Sequence, residues 1–176
     1  ITSVGNIQKI TRAMEMVATT KLRRFQEGAV AAKPYAEELE RLARGLGGAA
    51  ASNPDAAGDA AGLFRPGDPS APAGILFIGS TRGLCGAYNS NVQRQLESGM
   101  KGLPQGSKLF VIGKKAMEYA GRMGHDVAAY FEDFDPEKIR FADAAGISKA
   151  VVTAFLEEGL SGMFLCGTRF LSMVRY

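Results

Sequence analysis

The sequence predicts an α/β protein with a long helix preceding the α/β part. Two patterns and the stretch between them carry this reading. Apolar and small residues recur at helical spacing through the first 46 residues. From Gly74 onward short, almost wholly apolar runs alternate with amphipathic ones. Residues 47–73 hold to neither pattern and are rich in Ala, Gly, Pro and Asp, the composition of a flexible linker or long surface loop. The expected organisation is therefore a helix over 1–46, a linker over 47–73 and an α/β domain over 74–176.

The helix is argued from its seam. Ile7, Ile10, Met14, Ala18, Leu22 and Phe25 lead into Ala29, Ala32, Ala36, Leu39, Ala43 and Leu46, in steps of three and four. That is a heptad pattern with one local stutter between Ile10 and Leu22. A helix of that length runs roughly 65–70 Å at 1.5 Å per residue. This exceeds what a domain of the remaining size can cover, and the many alanines suit close approach of a second helix. Pro34 opposes the pattern, since an interior proline removes a backbone hydrogen bond at a cost of about 3 kcal/mol. Either the helix kinks there or a second helix starts at Pro34. The seam keeps its phase across the proline, which favours one kinked helix.

Beyond the linker, strands are expected at Gly74–Ser80, Lys108–Gly113, Asp126–Glu132 and Gly162–Cys166, and helices at Ala87–Lys101, Lys114–Met123 and Phe141–Glu158. Continuous apolar strands alternating with helices mean parallel βαβ units covered on both faces, a Rossmann-like arrangement. Such a sheet binds ligands at the carboxyl ends of its strands. The first of these turns, Gly79–Gly86, is glycine-rich, but it has neither the GxGxxG spacing of a dinucleotide site nor the lysine of a P-loop. A tight connection is the expected role, with Arg82 the one group there suited to a phosphate.

Other candidate chemistry is thin. Cys85 and Cys166 lack metal-ligand spacing and are expected as buried, reduced thiols. His125, the single histidine, lies in a Gly-His-Asp turn and is expected as a solvated loop residue. Glu132, Asp133, Asp135 and Glu137 around Pro136 read as a solvated acidic loop, since paired carboxylates do acid–base work only where their environments separate their pKa values. No catalytic group, cofactor or metal is expected. The charge is concentrated at the N-terminus: Lys9, Arg12, Lys21, Arg23 and Arg24 stand against Glu15 alone. Such a segment calls for an acidic partner, whether protein, nucleic acid or anionic lipid. An organellar transit peptide has similar composition, but a seam running in register into the mature fold argues against one. No apolar run approaches the roughly 20 residues needed to span a bilayer.

Two stretches carry a family resemblance. Gln8-Lys9-Ile10-Thr11-Arg12-Ala13-Met14-Glu15-Met16-Val17-Ala18, followed by Lys21-Leu22-Arg23-Arg24, is similar to the N-terminal helix of F-type ATP synthase gamma subunits. Arg82-Gly83-Leu84-Cys85-Gly86, with Asn89 and Asn91, resembles that family's turn after its first strand. Lys33-Pro34-Tyr35-Ala36-Glu37 and Arg169-Phe170 also sit where the family has similar residues. Thr81 departs from it, standing where an aspartate usually precedes the arginine and removing a local Asp–Arg pair.

The resemblance implies a non-catalytic central-stalk rotor of a proton-translocating ATP synthase. Its N-terminal helix would pair with a long C-terminal helix inside the ring of alpha and beta subunits. The α/β domain would form a collar near the epsilon and delta-type subunits and the c-ring. Lys9, Arg12, Met14, Lys21, Arg23 and Arg24 would face the alpha/beta ring, with Arg82, Gly83, Cys85, Gly86 and Asn89 forming the collar turn. It further implies a peripheral membrane protein on the cytoplasmic face of a bacterial plasma membrane, without nucleic acid, and a chain that continues past Tyr176 into a second shaft helix. Composition and fold alone also admit a nucleotide-binding α/β enzyme, or a binder of nucleic acid or membrane surfaces through the basic helix.

Overall fold

A computed structural model describes residues 2–53, 61–64, 67–132, 134 and 138–170. It divides into two compact units, Ile1–Gly58 and Asp59–Tyr176. The first is a single helix, α1 (Thr2–Ser52). It runs unbroken through Pro34, so no second helix begins there. The hydroxyls of Thr11, Thr19 and Thr20 donate to the carbonyls of Ile7, Glu15 and Met16 at 2.8–2.9 Å, which satisfies them within the helix. The helix continues six residues beyond Leu46, where the seam stops. Alanine carries the highest helix propensity with or without a periodic face, and Ala49–Ala51 sustain the last turns. The seam side chains are exposed: Ile7 at 61%, Met14 at 67%, Phe25 at 42% and Leu46 at 61%.

The second unit contains a short helix, α2 (Ala61–Phe64), and then β1 (Gly74–Ile78), α3 (Tyr88–Met100), β2 (Lys108–Ile112), α4 (Lys114–Met123), β3 (Val127–Phe131), α5 (Phe141–Glu157) and β4 (Met163–Cys166). All pairings are parallel, in the order β3-β2-β1-β4. The strands expected from sequence are present, each trimmed by a residue or two. The described parts of 61–73 belong to this unit. Asp68 Oδ1 accepts from the Ser70 amide at 2.9 Å and hydroxyl at 2.7 Å, and these bonds lower its carboxyl pKa. Ser161 N–H donates to the Pro72 carbonyl at 2.8 Å, and the buried Ser107 hydroxyl accepts from Ala73 N–H at 3.0 Å. The approach to β1 is thus held before the strand begins.

Strand alternation sorts the core into two layers. Ile75 and Phe77 of β1, with Leu109 and Val111 of β2, face Val92 and Leu96 of α3 and Ala116 and Ala120 of α4. Leu76 and Phe110 face the other way, onto Val151, Ala154 and Phe155 of α5. This is what right-handed crossovers require. Two steps in one direction put α3 and α4 on one face, and the return across the sheet to β4 puts α5 on the other. The sheet order reverses between β1 and β4, which makes the carboxyl ends of those strands the topological switch point.

Two glycines bring the β1 and β2 ends together. Gly113 has φ of 99°, and a Cβ there would sit 2.5 Å from the Gly79 carbonyl oxygen. A Cβ on Gly79 would sit 2.7 Å from that of Ala116. Both the space and the backbone conformation therefore exclude a side chain at Gly113. Gly113→Ala is expected to destabilise the unit by about 2–4 kcal/mol. Gly121→Ala, on an α4 position with nothing within 4 Å, is expected to gain about 0.5–1 kcal/mol. Denaturant unfolding midpoints check both. A wild-type midpoint for Gly113→Ala would show that the close approach is not a constraint.

Candidate functional site

Two surfaces hold the residues singled out from sequence. The first is α1, where Lys9, Arg12, Met14, Lys21, Arg23 and Arg24 are all exposed. At 3.6 residues per turn, Lys9, Arg12 and Arg23 fall on the side opposite Ile7, Met14, Ala18 and Phe25, while Lys21 and Arg24 flank the seam. One helix thus presents an apolar stripe and a basic stripe back to back. Arg23 is tied to Glu27 one turn on, Nε to Oε1 at 2.9 Å. An exposed pair of this kind contributes about 0.3–0.5 kcal/mol, so the guanidinium is easily given to a stronger acidic partner.

The second surface is the turn from β1 into α3, at the switch point. Ser80 Oγ lies 2.7 Å from both the Arg82 carbonyl oxygen and Asn89 Oδ1, with one proton to donate between them. Asn89 Nδ2 donates to Cys85 Sγ at 3.1 Å. Lys115 N–H reaches the Ser80 carbonyl at 2.9 Å and joins the start of α4 to the same turn. Leu84 and Gly86 both have φ of 59°. The turn is therefore internally bonded, and Gly79 serves the packing of β1 against α4. The expectation of a tight connection matches this geometry. Gly83 has room around it, its nearest neighbour being Lys115 Cε at 4.0 Å from an added Cβ.

Two expectations need correction. Cys85 is exposed rather than buried, because the strand ends at Ile78 and the cysteine sits in the turn beyond it. Cys166 is half-buried at the end of β4, where burial pushes its thiol pKa up. His125 is not a solvated loop residue. Gly124 closes α4 in the left-handed conformation with φ of 72°, and this turn folds the histidine inward to 13% side-chain exposure. Its Nε2 lies 2.7 Å from Glu97 Oε1, and the Tyr119 hydroxyl donates to the same oxygen at 2.9 Å. Arg122 stacks over the Tyr119 ring at 5.5 Å. Sequence reading missed this cluster because its three members lie on α3, α4 and the approach to β3. The only local signal was the glycine cap preceding the histidine.

Of the acidic run, Glu132 is exposed, while Asp133, Asp135 and Glu137 lie outside the described residues. Among the described residues no three His, Cys, Asp or Glu side chains converge in a way that could hold a metal ion. No described helix is long and apolar enough to cross a membrane.

The chain thus combines a long helix whose apolar seam is exposed with a small parallel α/β unit whose first turn is internally bonded. Comparison with known proteins gives this combination its family. The family model for ATP synthase matches residues 1–176. The chain is 36% identical over 177 residues to an ATP synthase gamma chain of Synechocystis sp., which covers 99% of this chain and 54% of the relative. It is 34% identical to that of Methylococcus capsulatus, covering 98% and 58%, and 36% identical to that of Mycobacterium marinum, covering 89% and 50%. The chain belongs to the ATP synthase family, and the relatives it matches there are gamma chains. It spans about half to three-fifths of their length.

The Glu97 cluster gives a pH dependence. Burial raises its carboxyl pKa, but the hydrogen bonds from His125 and Tyr119 outweigh this and hold it below the ordinary glutamate value. A depressed carboxyl contributes stability above the unfolded-state pKa and loses it as pH falls through the folded one. Glu97→Gln is therefore expected to lower stability at neutral pH and to flatten its decline on acidification below the ordinary glutamate range. Unfolding midpoints measured from neutral to strongly acidic pH check this. Parallel curves for the two proteins would remove Glu97 as the coupled group.

Proposed function

We propose that the chain is part of the central-stalk rotor of a proton-translocating rotary ATP synthase, a non-catalytic subunit that transmits torque between the membrane c-ring and the catalytic beta subunits. The observation that carries the reading is α1: an uninterrupted helix of 51 residues with its seam side chains exposed. Helices within proteins gain most of their stability from a packed apolar face, and an unpartnered seam of this length calls for a second helix in a coiled coil. The basic stripe on the opposite side suits the acidic surface of a surrounding ring. In this reading α1 lies within the alpha/beta ring, with Lys9, Arg12 and Arg23 toward it and Met14, Lys21 and Arg24, on or beside the seam, meeting it where the second helix leaves the seam open. The α/β unit forms the collar that meets epsilon, delta-type and c-ring subunits, with Arg82, Gly83, Cys85, Gly86 and Asn89 shaping its first turn. In this reading the subunit lies at the membrane without crossing it, on the cytoplasmic face of a bacterial plasma membrane.

Met14 is the residue best suited to slide against changing neighbours. It sits on the seam side at 67% exposure, and its thioether is flexible and polarizable. A lysine there pairs with an acidic loop in some rotational positions and not in others, deepening one stop by about 1–3 kcal/mol where partly desolvated. The full-length Met14→Lys variant is expected to assemble but to pump fewer protons per ATP hydrolysed in reconstituted complexes. Met14→Leu, close in volume, should leave that ratio unchanged. The same ratio for wild type and both variants would remove the coupling role from Met14. The rotor reading also expects no stoichiometric, micromolar ATP complex with this chain by itself. Equilibrium dialysis that found one would favour a nucleotide-binding domain instead.

A further inference from the structure

The edge strand β4 leaves part of the α3 side of the sheet open. Phe164 pairs in register with Ile75 and shares its face. α3 packs Val92 and Leu96 onto Ile75 and Phe77, which are buried, whereas Phe164 is 53% exposed. A trough of about 510 Å³ runs between α3 and β4, lined by Ile75, Leu96 and Leu103 as well as Phe164. Gly99 lines it from α3, and with nothing within 4 Å of an added Cβ the helix contributes space there in place of a side chain. Cys166 lines it from β4, and burial pushes its thiol pKa up, so the sulfur brings no charge. The volume lies within the roughly 300–1,000 Å³ of small-molecule sites.

The trough changes character at one end. Gln95 and Gly167 line both it and a second hollow of about 250 Å³, bordered by Tyr88, Asn91, Thr168 and Arg169. Gly167 directly follows β4 and Tyr88 begins α3, so this hollow lies at the switch point, where open α/β sheets take their ligands. No acidic residue lines either hollow, and Arg169 has no ion-pair partner among the described residues. Asn91, Gln95 and Thr168 add neutral hydrogen-bonding groups. An apolar trough that ends in one cation matches a molecule with an apolar tail and one anionic head. The head needs that cation, because an unpaired carboxylate is costly out of water, and a guanidinium can meet it with two parallel hydrogen bonds. We propose that the α3–β4 groove binds one free fatty acid, with its tail between Gly99 and Phe164 and its carboxylate at Arg169. Both hollows lie wholly within the α/β unit, so the site is the same whether or not the chain turns as a rotor.

The test titrates the full-length chain with dodecanoate. One saturable site with a Kd of about 10–100 µM is expected. Dodecanol, which lacks the charge, and butyrate, which lacks the tail, should each bind about tenfold more weakly or worse. Arg169→Gln, at an exposed position, should keep the Tm and remove the preference for dodecanoate over dodecanol. Gly99→Leu fills the trough from a helix position where leucine is the better helix former. It should raise the Tm by about 1–4 °C and weaken dodecanoate by about tenfold or more. Unchanged affinity in either variant, or binding that never saturates, would overturn the site. Absence of binding at millimolar dodecanoate would overturn it too, as would happen if another part of the full-length chain filled the trough. Flotation of the chain with phosphatidylglycerol vesicles free of fatty acid would replace the single ligand with a lipid surface and overturn it likewise.

Discussion

The α/β unit depends on β1 having no outlet. Its backbone groups pair with β2 on one side and β4 on the other. Its side chains are covered by α3 and α4 on one face and by α5 on the other. A strand placed this way must be apolar at every position, and Ile75-Leu76-Phe77-Ile78 is. It must also be entered and left without burying loose polar groups. Ser107, Pro72 and Ser161 hold the entry through the bonds to Ala73 and Ser161. At the exit, the glycine pair Gly79 and Gly113 lets the β1 and β2 ends lie backbone against backbone. The ordered turn that follows starts from that exit and is tied to α4 by the bond from Lys115 N–H to the Ser80 carbonyl.

The two units reach stability by opposite means. The α/β unit has a core of its own, with Phe77, Leu96, Leu109 and Val111 fully buried. The helix unit shows a stripe with no core in it. Its exposed ion pairs, such as Arg41–Glu38 and Arg44–Glu40, each add only a few tenths of a kcal/mol. A helix so composed is completed by what packs on it, while the α/β unit is complete enough to carry a surface. The rotor reading draws on that division, because a shaft must be gripped along its length and a collar must keep its shape.

How much was legible in the sequence follows from which forces are local. Strands over Gly74–Ile78, Lys108–Ile112, Val127–Phe131 and Met163–Cys166 announce themselves because burial on both faces demands unbroken apolar runs. The helices between them show their period, and Gly124 marks the end of α4 where expected. The length of α1 was underestimated because the seam ends at Leu46 while alanine propensity carries the backbone to Ser52. The candidate surfaces were legible as residues and not as geometry. Lys9, Arg12 and Arg23 could be counted as basic, but their gathering opposite the seam appears only with the helical turn. His125 could not be placed, because the carboxylate that receives it is 28 positions away. Leu84 gives no signal of its own, since nothing about leucine suggests a left-handed backbone.

That last failure is informative in itself. Where residue type and backbone agree, as at Gly86 and Gly113, folding alone explains the choice. Where they disagree, the residue type gives no local reason for the conformation. Leu84 disagrees on two counts, conformation and exposure, within a turn whose other members are internally satisfied. The α1 seam disagrees on exposure alone, but over a dozen positions. The seam presents contiguous apolar side chains to solvent, a kind of surface that proteins keep for contacts with others. The seam is extended and periodic and suits another helix.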